Sequence, residues 1–364
     1  MTLRLTASGC RTALGDADQT CAELLAGRVA LQALPVGGSL GGDRVPLALI
    51  GGRELDESAP PAWLPVLDGM VTEIPPDRWG DERHPVYVTS SNFGVGSLHA
   101  FQRTQDSAHL AYGTPYLAAE QLRRRFEWGP NVTLLSHACV SAQLGLLAAS
   151  RRLESGLADR ALIFTYDFIS PFVTGGFHAL KILNGGFPSP YADRPIGAIG
   201  LGDGCAFAVL ANGESGPSLL GQSLYNEMHH FTANRPDGAG FESCLAPLAA
   251  AAAGRKLWIK GHGTGTIEAG RLEAETLGRL FPSAPLVAWK GSLGHTLGSC
   301  GVVELAVAAA ALRGGRTPGT VGSTGPTFTA AVAQASFDNR GFDAVLLASN
   351  AFGGAHAACL LAYD

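Results

Sequence analysis

The stretch Thr133–Ser150, TLLSHACVSAQLGLLAAS, decides the architecture. An apolar, β-favouring run over Val132–Leu135 enters a short polar turn, and an apolar helical pattern follows over Val140–Leu153. Strand, sharp turn and helix in succession form the building unit of an α/β protein. Cys139 stands at the junction. Unpaired N–H groups in the first turn of a helix carry partial positive charge. That field favours thiolate over thiol, and the same N–H groups suit an oxyanion. Cysteine is also among the commonest interior residues, so this placement alone fits a buried core residue better than a nucleophile.

Working outward, the same alternation repeats. Strands are expected at Val86–Thr89, Leu162–Thr165, Ala206–Leu210, Leu257–Lys260, Leu286–Trp289 and Val345–Ala348. Helical patterns lie at Tyr116–Phe126, Glu268–Leu280 and Val302–Leu312. The turn-rich segment Ala211–Pro217, ANGESGP, divides the chain into 1–212, with Cys139, and 213–364. A second loop-rich stretch covers Arg313–Pro326.

Two histidine loops lie in the second half. In Leu257–Leu277 a strand delivers His262 into the glycine- and threonine-rich GHGTGT. In Leu286–Leu312 a strand delivers Lys290, His295 follows five residues later, and a helix opens. Either histidine alone would pass for a structural residue. Both stand at strand ends beside glycines, which let a ligand approach the backbone closely. GHGTGT lacks the GxxxxGK[ST] spacing of a phosphate loop. Near the C-terminus a strand ends at the bend Phe352-Gly353-Gly354, and a second strand follows.

Composition narrows the function. Of 364 residues, 46% are hydrophobic and 16% charged, which suits a large buried core. A net charge of −5 with only four lysines argues against nucleic acid as a partner. The run Arg123–Arg125 reads as a solvated helix face. Seven scattered cysteines without CxxC spacing argue against zinc and suit a reducing, cytoplasmic setting. No signal-like run opens the chain. The apolar stretch Val302–Leu312, interrupted by Glu304, is too short to insert in a membrane.

Together these motifs resemble the β-ketoacyl-acyl carrier protein synthase family, of the elongating Cys-His-His kind. Ala138–Cys139 resembles its nucleophile site, and His262–Thr266, HGTGT, its first histidine motif. Lys290–Glu304, KxxxGHTxGxxGxxE, is similar to its second, and Phe352–Gly354 to its C-terminal turn. Ala13–Arg28 resembles its early loop and helix. The resemblance implies a thiolase-like αβαβα sandwich of two similar halves in five layers, normally dimeric. It implies Cys139 as the acylated nucleophile, His262 and His295 as the pair acting on a malonyl thioester, and Lys290 with Glu304 as a supporting pair. Thr264 and Thr266 would hold the pantetheine arm. Phe352, beside Gly353, would gate the acyl and extender sites, and the backbone amides of Cys139 and Phe352 would form the oxyanion hole.

The implied activity is acyl transfer to Cys139 and then decarboxylative condensation with malonyl carrier protein, in fatty acid, polyene or polyketide assembly. Its partners would be an acyl carrier protein and a second subunit, the same chain or a related one. No cofactor is implied beyond the phosphopantetheine arm that the carrier brings. The alternative is a non-catalytic, chain-length-factor-like subunit. Two departures point to a divergent member from secondary metabolism. Ala269-Gly270-Arg271 stands where the family has GD, and Ala355–His356 where it has TN.

Overall fold

The computed structural model describes the chain apart from residues 1, 37–41, 54, 56, 57, 214, 231 and 364. Ten strands share one sheet: β1 (Leu3–Arg11), β2 (Val86–Thr89), β3 (Val132–Leu135), β4 (Arg160–Asp167), β5 (Gly204–Asn212), β6 (Ser218–Asn226), β7 (Leu257–Lys260), β8 (Leu286–Val287), β9 (Ala344–Ala351) and β10 (Ala355–Ala362). Their order is β8-β7-β9-β10-β6-β1-β5-β4-β2-β3. β2 runs parallel to β3 and β4, β4 pairs antiparallel with β5, and β5 with β1. The second set repeats this: β7 is parallel to β8 and β9, β9 antiparallel to β10, and β10 to β6. One pair, Arg4 with Ser218, joins the two sets.

The helices that position the site are α1 (Ala17–Leu25), α2 (Leu64–Val71), α3 (Pro115–Arg125), α4 (Ser141–Glu154), α5 (Pro171–Ala179), α6 (Ala239–Ala251), α7 (Ile267–Leu280) and α8 (Cys300–Gly314). The two-residue period of a strand assigns the layers. On β4, Ala161 and Ile163 face a central core with α1, α4 and α8, while Leu162, Phe164 and Tyr166 face an outer core with α2 and α3. On β9, Val345 and Leu347 face the same central core, and Ala344, Leu346 and Ala348 an outer core with α6 and α7. The result is five layers, helix–sheet–helix–sheet–helix, as expected from the sequence.

Strands β2, β3 and β7 run from end to end as read from the sequence. The expected strand Leu286–Trp289 stops at Val287, because Lys290–Leu293 winds into a short helix. β1, β6 and α6 were not foreseen: β6 mixes half-buried residues without clean alternation, and α6 carries Pro247. One expectation is corrected. The apolar stretch Leu297–Gly314 has the length and composition of a membrane span, so shortness does not set it apart. It is 83% buried inside the fold, and α8 packs at the centre. Arg123 and Arg124 pair with Glu120, and Arg125 with Asp68, on an exposed helix face.

Candidate active site

The turn between β3 and α4 is built to present Cys139. Ala138 holds φ at 45°, an uncommon conformation for a residue with a Cβ. Ser141 braces it: its hydroxyl donates to the Ala138 carbonyl at 2.7 Å and accepts from the His137 amide at 2.7 Å. Across the site, the loop of the second histidine motif closes on this turn. His295 Nε2 lies 3.0 Å from Cys139 Sγ, and the Cys300 thiol donates to the Cys139 carbonyl at 3.3 Å.

His262 meets His295 edge to face, with ring centroids 4.9 Å apart and planes at 90°. Its loop hangs on Glu273 of α7, which accepts from the His262 amide (2.5 Å), the Gly263 amide (3.0 Å) and the Tyr191 hydroxyl (3.0 Å). Lys290 Nζ donates to the His262 carbonyl at 2.9 Å and to Glu304 Oε1 at 2.6 Å, and lies 3.5 Å from His262 Nδ1. An ammonium can only donate. Nδ1 therefore faces it as the acceptor, and the imidazole proton sits on Nε2.

Burial shapes the titration of all three central groups. Burial, then the charges of Lys290 and His295, holds His262 well below the usual imidazole range. Burial, then Lys290 and Lys260, does the same to His295. Both rings are neutral at physiological pH. Burial also pushes the Cys139 thiol up, against the opposing charge of Lys290. Burial thus works against the helix field expected at this junction. The Cys139 proton needs an acceptor, and His295 Nε2 is in place.

Cys139, His262, His295, Thr264, Thr266 and Phe352 all line one cavity of about 820 Å³. The Thr264 and Thr266 hydroxyls are 3.2 Å apart. Phe352 is 41% exposed and stacks on Phe177 of α5, with centroids 6.1 Å apart. Gly353 lies in the turn behind it with φ at 86°, a conformation glycine adopts without strain. Lys290 and Glu304 sit beneath the cavity, fully or almost fully buried. Among the described residues no cluster of metal-ligating side chains occurs.

Sequence reasoning missed several supporting groups. Lys260, the last residue of β7, is completely buried and ion-paired with Glu304. Its signal was a charge ending an otherwise apolar strand. Asp167, at the end of β4, accepts from Ser90, Ser91 and Asn92, and burial pushes its carboxyl up to about 6. His356, one of the two departures from the family pattern, is also buried. Its Nδ1 lies 2.8 Å from Asn350 Oδ1, and its Nε2 lies 3.3 Å from Glu227.

Comparison with known proteins agrees with this layout. Residues 218–324 match the family model described as beta-ketoacyl synthase, C-terminal domain. The chain is 27% identical over 219 residues to 3-oxoacyl-[acyl-carrier-protein] synthase 2 of Coxiella burnetii, covering 54% of this chain and 53% of that protein. It is 28% identical over 282 residues to the tetracenomycin polyketide synthase ketoacyl synthase alpha subunit of Streptomyces glaucescens, covering 68% and 64%. These matches thus span about half to two thirds of the relatives' length. Among solved structures, the ketosynthase ApeO in complex with its chain length factor ApeC, from Xenorhabdus doucetiae, superposes with a TM-score of 0.82 at 22% identity, covering 100% of this chain and 98% of that one. The ishigamide ketosynthase/chain length factor gives 0.81 at 19% identity, covering 100% and 99%. At such identities the likeness shows the fold, which is thiolase-like.

Proposed function

We propose that this chain, whose residues 218–324 match the beta-ketoacyl synthase C-terminal domain, is a condensing enzyme that joins an acyl group on Cys139 to a malonyl unit carried as a thioester. The observation that carries the proposal is the meeting of Cys139 Sγ with His295 Nε2 at 3.0 Å, with neutral His262 alongside, on the wall of one cavity.

In the first half-reaction the Cys139 proton passes to His295 Nε2, and the sulfur attacks the carbonyl of an acyl carrier thioester. The tetrahedral oxyanion is held by the backbone N–H groups of Cys139 and Phe352. Its collapse breaks the bond to the carrier's pantetheine sulfur, which takes the proton from His295. In the second, a malonyl carrier thioester loses carbon dioxide. With the sulfur acylated, His295 no longer accepts at Nε2 and takes its Nε2–H tautomer; the electrons of the broken C–C bond move onto the thioester oxygen, where the Nε2–H groups of His262 and His295 stabilise the enolate. Its α-carbon attacks the acyl–Cys139 carbonyl, and Cys139 thiolate leaves and takes the one proton that the overall reaction consumes from solvent. Thr264 and Thr266 offer hydroxyls to the pantetheine arm, and Phe352, with Gly353 as its pivot, parts the two substrates. Lys290 and Glu304 fix the His262 tautomer from below. The scheme calls on no cofactor beyond the arm the carrier delivers.

The proposal assigns the nucleophile to 1–212 and the histidine loops to 213–364, in a soluble cytoplasmic enzyme of fatty acid or polyketide type, with polyene assembly as one such pathway. We infer a carrier protein and a second subunit as partners. Among the described residues β3, the strand that leads to Cys139, lies at the sheet's edge and pairs only with β2, which leaves its other side for a partner strand. Intact mass spectrometry after incubation with acyl carrier thioesters tests the core of the reading. Wild type gains one acyl group and Cys139→Ala none; an equal adduct on Cys139→Ala would refute Cys139 as the nucleophile, and none on wild type across chain lengths would favour the non-catalytic subunit.

A further inference from the structure

Beneath the two histidines lies a charge that the scheme above leaves unused. Lys260 is 0% exposed, at the end of β7, in register with Val287 of β8 and Leu347 of β9. Its ammonium pairs with Glu304 Oε2, and Trp289 lies beside it, 5.9 Å to the ring centroid. The other Glu304 oxygen takes Lys290 Nζ at 2.6 Å. Two ammonium groups therefore share one carboxylate. Glu273 of α7 is the other carboxylate nearby, and it is occupied by the His262 and Gly263 amides and the Tyr191 hydroxyl. The remaining ionisable neighbours are His262, His295 and the Cys300 thiol of α8. Lys260 does not line the cavity, so it cannot touch substrate there.

A buried ion pair needs one cation, and the second is costly to keep out of water. In a dry pocket, however, a positive charge close to neutral imidazoles acts in two ways. It opposes their protonation, and it lowers the energy of an anion formed at their N–H groups. We propose that Lys260 is a positioning residue of the condensing site, whose charge, added to that of Lys290, keeps His262 and His295 neutral and stabilises the enolate made at them. The inference rests on the condensing reading above.

The two lysines differ in how they titrate. Burial pushes Lys260 down to about 8 despite Glu304. Lys290, on which burial also works downward, is held above its ordinary range by Glu304. A lysine loses its charge as pH rises, so the assistance of Lys260 is present below about 8 and fades above it. The chain holds only four lysines, Lys181, Lys256, Lys260 and Lys290, so Lys260 can be followed directly.

The experiment pairs two readouts on the whole protein: nuclear magnetic resonance of ε-¹³C-labelled lysine, and carbon dioxide release from malonyl carrier protein, both from pH 6.5 to 10. In wild type one lysine should titrate near pH 8, and carbon dioxide release should fall through the same interval. Lys260→Met should lose that resonance, run about 10- to 100-fold slower at pH 7, and show no fall near pH 8. Lys260→Arg, which keeps its charge at every pH, should restore the rate and stay level. If the substitutions unfold the chain, the coincidence of the two wild-type titrations remains the test. A lysine spectrum with no midpoint below pH 9.5, or Lys260→Met with the wild-type rate and profile, would overturn the role of Lys260 alone. Wild type releasing no carbon dioxide at any pH would overturn the condensing reading itself.

Discussion

The two sets of five strands share one pairing pattern and do different chemistry. In the first set, the ends of β2, β3 and β4 deliver Ser90–Asn92, Cys139 and Asp167. In the second, the corresponding ends of β7, β8 and β9 deliver His262, Lys290 with His295, and Phe352. Cys139 comes four residues after β3 and is set by a tight turn, with Ala138 at φ 45°. His295 comes eight residues after β8 and is set by a longer loop pinned to Leu201 and Gly202. The buried charge also differs. One carboxylate, Asp167, gathers hydroxyl and amide donors on the first side, whereas on the second one carboxylate, Glu304, gathers two lysines. A repeated sheet thus supplies the same three positions twice, and the residues just past each strand decide whether the position holds a nucleophile or its electrostatic partner.

The sharpest way to break this division of labour is to separate the two histidines. His295 faces Cys139, whereas His262 faces Lys290. His295→Ala should therefore slow both acylation of Cys139 and carbon dioxide release, because it removes the proton acceptor as well as an enolate donor. His262→Ala should slow carbon dioxide release by about 10²–10³ and leave acylation within a few fold. Rapid-quench intact mass measures acylation, and labelled malonyl carrier measures decarboxylation. If His295→Ala acylates at the wild-type rate, the helix terminus and not His295 activates the sulfur.

A smaller effect is expected where the two sets touch. Gly298, in the loop of His295, packs against the first set: a Cβ there would lie 2.5 Å from the Ser91 amide and 2.8 Å from Asp167 Oδ2. Real Cβ atoms do not come so close to backbone, so the contact has to open. Gly298→Ala should cost about 1–3 kcal/mol of stability, as overpacking does, and lengthen the Cys139–His295 contact. Denaturant unfolding and the Cys139 alkylation rate report the two. Unchanged values for both would mean that the loop seats independently of the first set.

The sequence made most of this visible where a period or a spacing existed to be read. β2, β3 and β7 are short apolar runs with breakers on both sides, and their limits were found to the residue. His262 and His295 stood out because glycines surround them. The supporting groups carried no such mark. Glu273 lies 11 residues beyond His262 on a helix whose pattern looks ordinary, and its task is to hold backbone amides, which leaves no motif. Asp167 looks like the polar end of a strand until the fold brings Ser90 and Asn92 to it. At Cys139 the helix terminus can be read from sequence, whereas the burial that works against it cannot.

The smallest expected effect is on stability, and it sharpens the contrast between one carboxylate with many donors and one carboxylate with two cations. An unfolded lysine titrates near about 10.4, whereas folding pushes Lys260 down to about 8. Between those values the unfolded chain binds more protons than the folded one, so stability of the wild type rises with pH there. Below about 8 the lysine is charged in both states, and the full cost of burying it is present. Lys260→Met removes that cost and leaves Glu304 paired with Lys290 at 2.6 Å. The variant should therefore melt above the wild type at pH 7, by about 1–3 °C for a chain of this size. The difference should shrink between pH 8 and 10 as wild-type Lys260 loses its charge. Differential scanning calorimetry across that range measures it. A variant that melts lower at pH 7 would mean that the Lys260–Glu304 attraction outweighs desolvation, making Lys260 a structural brace. A higher melting temperature together with slower decarboxylation would mark a charge kept for chemistry at the fold's expense.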